Sequence, residues 1–179
     1  MQAVEIRPLT PTDDRSTFRC GDDALDRFFG HYAGQNQFKL KLAVTYVALA
    51  GERILGFATV TVGSLEKREL PDARLRRKLP GYPLPILRLA RLGVDRTARG
   101  TGIGHMLLRH VFLLALRQRD AAGCVGVVTD AKPDAKGFYD KLGFTTLEGV
   151  REGRLHGDPT PMFLAIQTIA AAVGDADPT

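Results

Sequence analysis

The chain has 179 residues, 44% hydrophobic and 25% charged, with a formal net charge of +5 and two cysteines. This is the length of one ordinary domain, which buries roughly 70% of the surface its unfolded chain exposes, and the apolar share excludes wholesale disorder. The longest apolar run, Val111 to Leu116, falls far short of the ~20 residues of a membrane span, and Cys20 and Cys124 offer neither a disulfide framework nor a metal-type spacing.

At the N-terminus, Met1-Gln2-Ala3-Val4-Glu5-Ile6 lacks the basic and apolar segments of a signal peptide, so a cytoplasmic protein without membrane contact is expected. Val4-Glu5-Ile6 alternates and then meets Pro8, predicting a short first strand. After a Thr/Pro/Asp-rich turn, Leu25, Phe28, Phe29 and Tyr32 fall at i, i+3, i+4 and i+7, one apolar face of an amphipathic helix. Asp22 and Asp23 suit its N-cap and the positive end of its dipole. Segments 43–50 and 53–62, split by Gly51-Glu52, predict a β-hairpin. Residues 63–85 are polar and carry Pro71, Pro80, Pro83 and Pro85, predicting a loop with one helical turn.

Segment 86–94 reads as a strand, followed by a glycine-rich turn at 100–104. A helix follows over about 103–119, with Ile103, Leu107, Leu108, Val111, Leu114 and Ala115 as its apolar stripe. Cys124 to Thr129 predicts a short buried strand, and residues 134–142 a second helix stopped by Gly143. Phe144 onwards and Pro161 to Ile169 are the last strand candidates. The order implies an α/β domain with a mixed sheet, residues 1–170 forming a single domain and 171–179 a flexible tail.

Between Lys67 and Lys78 the chain reads KRELPDARLRRK, six basic residues against two acidic, and Arg88, Arg91, Arg96 and Arg99 follow. A solvated face and a basic stripe that gathers anionic partners both fit this run.

The stretch Leu92-Gly93-Val94-Asp95-Arg96-Thr97-Ala98-Arg99-Gly100-Thr101-Gly102-Ile103-Gly104 places three glycines between a strand and a helix start. There backbone N–H groups can converge on an anion, assisted by the helix dipole; the plainer reading of the same glycines is chain reversal. A dinucleotide fingerprint fails, because counting from Gly100 puts His105 at its third glycine, and no Gly-Lys-Ser/Thr of a P-loop exists. What remains is R-x-x-G-x-G, as Arg99, Gly102 and Gly104. Further on, Ala135-Lys136-Gly137-Phe138-Tyr139-Asp140-Lys141-Leu142-Gly143-Phe144 gives one apolar helix face, which core packing alone would explain.

The two segments together, in this order, resemble the GNAT superfamily of N-acetyltransferases: the first its pyrophosphate loop, the second its A-x-x-F-Y-x-x-x-G-F helix. The resemblance implies a GNAT fold, a mixed and mostly antiparallel sheet of six to seven strands flanked by about four helices, with acetyl-CoA as co-substrate. It implies acetyl-CoA contacts from Leu92, Gly93, Val94, Arg99, Gly100, Thr101, Gly102, Ile103, Gly104 and Phe138, and a catalytic role for Tyr139 beside the thioester sulfur. Phe18-x-Cys20-Gly21, Leu25-Asp26-x-Phe28, Ala33, Gln35, Thr45-Tyr46-Val47, the Leu-Pro pairs at 70–71 and 79–80, Pro83-x-Pro85 and Arg91-Leu92-Gly93-Val94-Asp95 narrow it. They are similar to the acetyltransferase toxins of toxin–antitoxin pairs. That resemblance implies aminoacyl-tRNA as substrate, a ribbon-helix-helix antitoxin as partner and a homodimer, with Arg74, Arg76, Arg77, Lys78 and Arg91 as candidate substrate contacts. Arg109-His110 stands where related sequences often place Asp-Ala, a departure that bears on dimer or antitoxin contacts.

Amide formation from a thioester needs a neutral amine, a polarised carbonyl and a proton for the leaving thiolate. Backbone groups of Leu92 and Val94 are implied by resemblance for the second task, and the Tyr139 phenol, ordinarily near pKa 10, suits the third. Glu66, Glu69 and Glu148 lack the context of a general base. An α-amine, titrating near 8, has less need of one than a lysine near 10.4. His105 and His110 lie about 140° apart round a helix and His31 and His156 are isolated, so no metal is expected. Cys20 and Cys124 read as packing residues. A GNAT enzyme acting on a small-molecule or protein amine, and a non-catalytic acetyl-CoA-binding module, are the alternatives.

Overall fold

The computed structural model describes residues 2–147 and 158–174. Glu148, His156 and residues 175–179 of the expected tail lie outside the described residues. Seven strands, β1 (Val4–Pro8), β2 (Val44–Ala50), β3 (Arg53–Leu65), β4 (Leu84–Val94), β5 (Gly126–Ala131), β6 (Thr145–Thr146) and β7 (Thr160–Ala165), form one sheet in the order β1-β2-β3-β4-β5-β7-β6. The pairs β1–β2, β2–β3, β5–β7 and β6–β7 are antiparallel. The α-helices are α1 (Asp23–Arg27), α2 (Ala73–Lys78), α3 (Ile103–Ala121), α4 (Lys136–Lys141) and α5 (Ile166–Val173). The class is the mixed α/β one expected. The chain divides into two compact units, residues 1–61 with 89–113, and residues 62–88 with 114–179.

In the first unit the facing pairs Val47–Phe57 and Leu49–Ile54 of the β2–β3 hairpin enter the core with Leu9, Phe18, Cys20, Phe29 and Ala33. Phe29 lies parallel to Phe57 at 4.3 Å, and Phe18 meets the two rings edge-on at 4.9 and 5.5 Å. The paired hydroxyls of Thr45 and Thr59 satisfy each other at 2.7 Å inside this apolar sheet. β1 carries on through Pro8, in register with Tyr46, because an edge strand tolerates a residue without an N–H.

The predicted amphipathic helix begins as expected, with the Asp22 carboxylate accepting from the backbone of Ala24 and Leu25. Its continuation differs. Phe28–Tyr32 and Gln35–Lys39 are π-helical, with Ala33 N–H donating to Phe28 O and Leu40 N–H to Gln35 O. A π-turn holds more residues than an α-turn, so a stripe counted at 3.6 per turn drifts off the core. Phe29 and Ala33 are buried, whereas Tyr32, expected on the apolar face, is 50% exposed.

In the second unit Leu65, Leu70, Leu84, Ile86, Val128, Leu147 and Phe163 form the core. The stretch expected as a loop with one helical turn is more ordered: β3 continues to Leu65, a 3₁₀ turn covers Lys67–Glu69, and α2 follows. Pro71 and Pro80 lie outside α2, which starts on an Asp72 cap accepting from Arg74 and Leu75 N–H; the prolines bracket the helix rather than forbid it. The expected strand at 124–129 is shifted to 126–131. Pro161 to Ile169, expected as strand, divides: β7 ends at Ala165, and Ile166, Ile169 and Ala170 are buried at helical spacing on α5, which runs through Val173 into the stretch expected as tail.

Candidate active site

β4 leads into the glycine turn through Asp95. Its N–H donates to Leu55 O at 2.8 Å, and its buried carboxylate accepts from Arg19 N (3.0 Å), Thr97 N (3.0 Å) and Thr97 Oγ1 (2.6 Å), with Arg53 Nη2 at 3.7 Å. Burial alone would push this acid up. The hydrogen bonds from Thr97 and Arg19 and the Arg53 charge outweigh it and hold the carboxyl below its ordinary range. Asp95 thereby caps the 3₁₀ turn Arg96–Ala98 and fixes a preceding segment, because Arg96 N–H donates to Arg19 O at 2.8 Å and the Arg99 guanidinium donates to Cys20 O. Segment 19–21 is laced to residues 95–99.

Gly100 and Gly102 hold φ of +75° and +89°, and a Cβ on either would meet no atom within 4 Å. Glycine is needed there for backbone conformation rather than for space, and the loop face is open. Met106 N–H donates to Gly102 O at 3.0 Å, so the amides of Ile103 and Gly104 belong to the first turn of α3, where N–H groups have no intrahelical acceptor and face the positive dipole end. At Gly56 a Cβ would lie 2.8 Å from Ile103 Cγ2, 3.0 Å from Leu107 Cδ1 and 3.1 Å from Gly93 O. The bare backbone of β3 lets this first turn settle against it beside Gly93. Open face, left-handed glycines and helix amides together fit a diphosphate.

The first unit therefore gathers Arg91, Leu92, Gly93, Val94 and residues 99–104. Leu92 and Val94 are half-buried and Gly93 buried. Arg99 turns its guanidinium to the Cys20 carbonyl. The exposed Arg91 lies over the ring of Phe28, 4.9 Å from its centroid.

The second unit holds Tyr139 on α4, buried, with Phe138 and Phe144 meeting its ring edge-on at 5.3 and 5.2 Å. Burial pushes its phenol up to about 12, against the opposing pull of a side-chain hydrogen bond with Thr129 of β5. The hydroxyl is therefore protonated throughout the working range and can serve as a donor. Arg74, Arg76, Arg77 and Lys78 all lie on α2. An open groove of about 600 Å³ takes Arg76 and Arg77 together with Glu66, Lys67, Arg68, Ala73 and Gly81; Arg74 and Lys78 are not among its lining residues. Arg76 is anchored by donating to Leu70 O.

Glu69 accepts from Glu66 N–H at 2.7 Å within a capping box, a structural engagement. Burial raises both thiols, Cys20 to about 11, which keeps them protonated. Among the described residues no group of three or more His, Cys, Asp or Glu side chains is arranged to hold a metal.

The sequence profile of the acetyltransferase (GNAT) domain matches residues 41–146. The chain belongs to this GNAT family. A tRNA-acetylating toxin of Mycobacterium tuberculosis is 28% identical over 170 residues, covering 94% of this chain and 96% of its own length. The solved structure of AtaT complexed with acetyl-methionyl-tRNAfMet is similar at a TM-score of 0.83 and 26% identity, covering 96% of this chain and 99% of that one. A mutant AtaT toxin bound to the C-terminus of the antitoxin AtaR and acetyl-CoA is similar at 0.74 and 25%, covering 95% and 98%. Among the described residues of this GNAT chain no helix is long and apolar enough to cross a membrane.

Three residues that engage the candidate side chains or the turn beside them escaped the sequence reading as contributors. Asp95 carried a signal, an acid placed to cap the turn that follows. Phe28 and Thr129 carried none for these contacts, since the partner of Phe28 lies far along the chain and that of Thr129 on a separate element.

Proposed function

We propose that this protein transfers the acetyl group of acetyl-CoA to the α-amino group of an aminoacyl-tRNA. It thereby blocks translation as a cytoplasmic, homodimeric toxin held in check by a ribbon-helix-helix antitoxin, with residues 1–170 acting as one acetyltransferase domain. The observation that carries this reading is the match, over nearly the full length of both chains, to a tRNA-acetylating toxin. The AtaT complexes with acetyl-methionyl-tRNAfMet and with acetyl-CoA and the C-terminus of AtaR support it.

In this proposal the amides of residues 99–104 receive the diphosphate of acetyl-CoA, Arg99 holding the loop through Cys20 rather than by reaching forward. Leu92, Gly93 and Val94 align the pantetheine arm, and a backbone N–H of this strand polarises the thioester carbonyl. Phe138 lines the acyl end. The amine nitrogen attacks the carbonyl carbon, the C–S bond breaks, and the Tyr139 hydroxyl gives its proton to the departing thiolate sulfur; the nitrogen releases its surplus proton to water, and water returns one to the Tyr139 phenolate. The reading assigns no carboxylate as base, because a fair fraction of an esterified α-amine is already neutral at pH 7. The α2 side chains Arg74, Arg76, Arg77 and Lys78, with Lys67 and Arg68 of the adjoining groove, meet the tRNA backbone.

The test is to incubate purified protein with acetyl-CoA and aminoacylated tRNA and to weigh the products by mass spectrometry. Acetylated aminoacyl-tRNA is expected; charged tRNA left unmodified would overturn the reading. Tyr139→Phe retains the packed ring, and a loss of order 10²–10⁴ in kcat is expected with acetyl-CoA affinity nearly unchanged. A variant that still arrests growth on induction would remove Tyr139 from the acid role.

A further inference from the structure

Arg91 is an exposed cation that pairs with no carboxylate among the described residues; its Nη1 donates to the adjacent Ala90 O at 2.9 Å. Its guanidinium rests 4.9 Å from the centroid of Phe28. Phe28 is braced in turn: it stacks on Phe57 at 6.4 Å with the planes 29° apart, and Phe57 stacks on Phe29 at 4.3 Å and 8°. The result is a series of ring contacts, Phe29 to Phe57 to Phe28, that leads from the core to the guanidinium of Arg91. A long arginine is ordinarily free to sample many rotamers; here the aromatic face restrains it.

A planar cation on an aromatic face suits another planar π-system above it better than it suits a tetrahedral phosphate, since guanidinium planes and aromatic rings are both stacking surfaces for unpaired bases. Its position agrees with that ligand. Arg91 immediately precedes Leu92, Gly93 and Val94, the residues assigned above to the acyl donor. The amine to be acetylated is joined through its amino acid to the terminal ribose of a single-stranded RNA end, so the terminal nucleobase is tethered by roughly eight covalent bonds to the acetyl carbon and comes to rest near the acyl donor. We infer that Arg91, seated on Phe28, is the stacking platform for the terminal unpaired nucleobase of the RNA substrate. This rests on the aminoacyl-tRNA reading and adds to it a site for the base, distinct from the phosphate contacts of α2.

The experiment compares wild type, Arg91→Lys, Arg91→Gln and Phe28→Leu in kcat/KM for aminoacyl-tRNA, in acetyl-CoA affinity by calorimetry, and in mass by light scattering. Both Arg91 variants lose roughly one to two orders of magnitude in kcat/KM, and acetyl-CoA affinity and mass stay unchanged. Phe28→Leu, its fold checked by circular dichroism, loses a similar amount. Arg91→Lys at full activity would mark a point-charge phosphate contact and overturn the platform. A parallel fall in acetyl-CoA affinity would make Arg91 a cofactor contact, and a change of mass an interface residue; either overturns it. Wild-type protein that leaves charged tRNA unacetylated defeats the substrate reading and the platform together, whereas an active wild type with an unaffected Arg91→Lys defeats the platform alone.

Discussion

Three buried neutral groups, Cys20, Cys124 and Tyr139, bear on the alkaline behaviour of the protein. Burial raises the Cys20 thiol from 9.0 to about 11 and the Tyr139 phenol from 10.0 to about 12. Each folded-state value lies above its unfolded one, so the stabilisation is complete below the unfolded value and is lost as pH climbs through the folded one. The melting temperature is expected to fall from about pH 9 onwards, first through the thiols of Cys20 and Cys124 and then through Tyr139. Melting curves of Cys20→Ala should show a shallower early fall, the Cys124 share remaining, and those of Tyr139→Phe should lack the later part. Below pH 10 Tyr139 keeps its proton, so the rate should rise from pH 6 to 8 with the free amine and show no descending limb from the phenol.

The loop glycines make a second residue-scale prediction. Gly102→Ala places a side chain at φ +89°, costing about 1–2 kcal/mol in the left-handed region. Gly102→Glu adds a carboxylate where the diphosphate approaches and should abolish acetyl-CoA binding in a calorimetric titration. Unchanged affinity in the glutamate variant would exclude the loop from binding.

At the level of elements, the close approach of β3 to α3 has a measurable cost if it is filled. Gly56→Ala would set a Cβ 3.1 Å from a backbone carbonyl and 2.8 Å from Ile103 Cγ2, and the carbonyl cannot swing aside as a side chain can. A loss of about 1–3 kcal/mol in urea unfolding is expected, together with weaker acetyl-CoA binding because the first turn of α3 is displaced. The elements that the sequence disclosed are those whose pattern is carried by their own residues. The 43–62 hairpin is two apolar runs split by Gly51-Glu52, α3 repeats its leucines at 3.6, and Gly143 ends α4 with φ +94°. Those that escaped depend on something outside the local pattern. The π-turns after Phe28 change the period that the count assumes. α2 hides between two prolines that flank it, and α5 begins inside an apolar run that β7 had already half used. The same division holds among the site candidates: residues 99–104 and Tyr139 stand out as motifs, whereas the Arg91–Phe28 pairing joins residues distant along the chain and the Tyr139–Thr129 pairing joins a helix to a separate strand.

On the scale of the whole molecule, the excess charge of +5 has a local address. Lys67, Arg68, Arg76 and Arg77 line one groove, and Arg76 is additionally engaged with a carbonyl. Replacing Lys67, Arg68 and Arg77 together by glutamine should weaken tRNA binding at low salt and flatten the plot of log K against log salt by about two to three, while kcat at saturating tRNA is retained. A slope equal to wild type, measured by filter binding between low and moderate salt, would show that this groove does not meet phosphate. Composition gave the sign of the charge and the order of elements the α/β class, but not the groove, beside which α2 packs its Leu75 against the core that holds Leu70 and leaves Arg77 exposed.

The lacing of segment 19–21 to the glycine loop also bears on how the chain comes to be folded. The bond from Arg19 N–H to the Asp95 carboxylate spans 76 residues, and that from the Arg99 guanidinium to Cys20 O spans 79. Closing so wide an interval is entropically slow to nucleate, and nothing local repays it until both strands of the closure are present. A chain emerging from the ribosome can therefore complete its glycine loop only after about the first hundred residues have been released and the two ends of that interval have met. During synthesis the capacity to hold acetyl-CoA is thus among the later properties to arrive, set by topology rather than by any inhibitor.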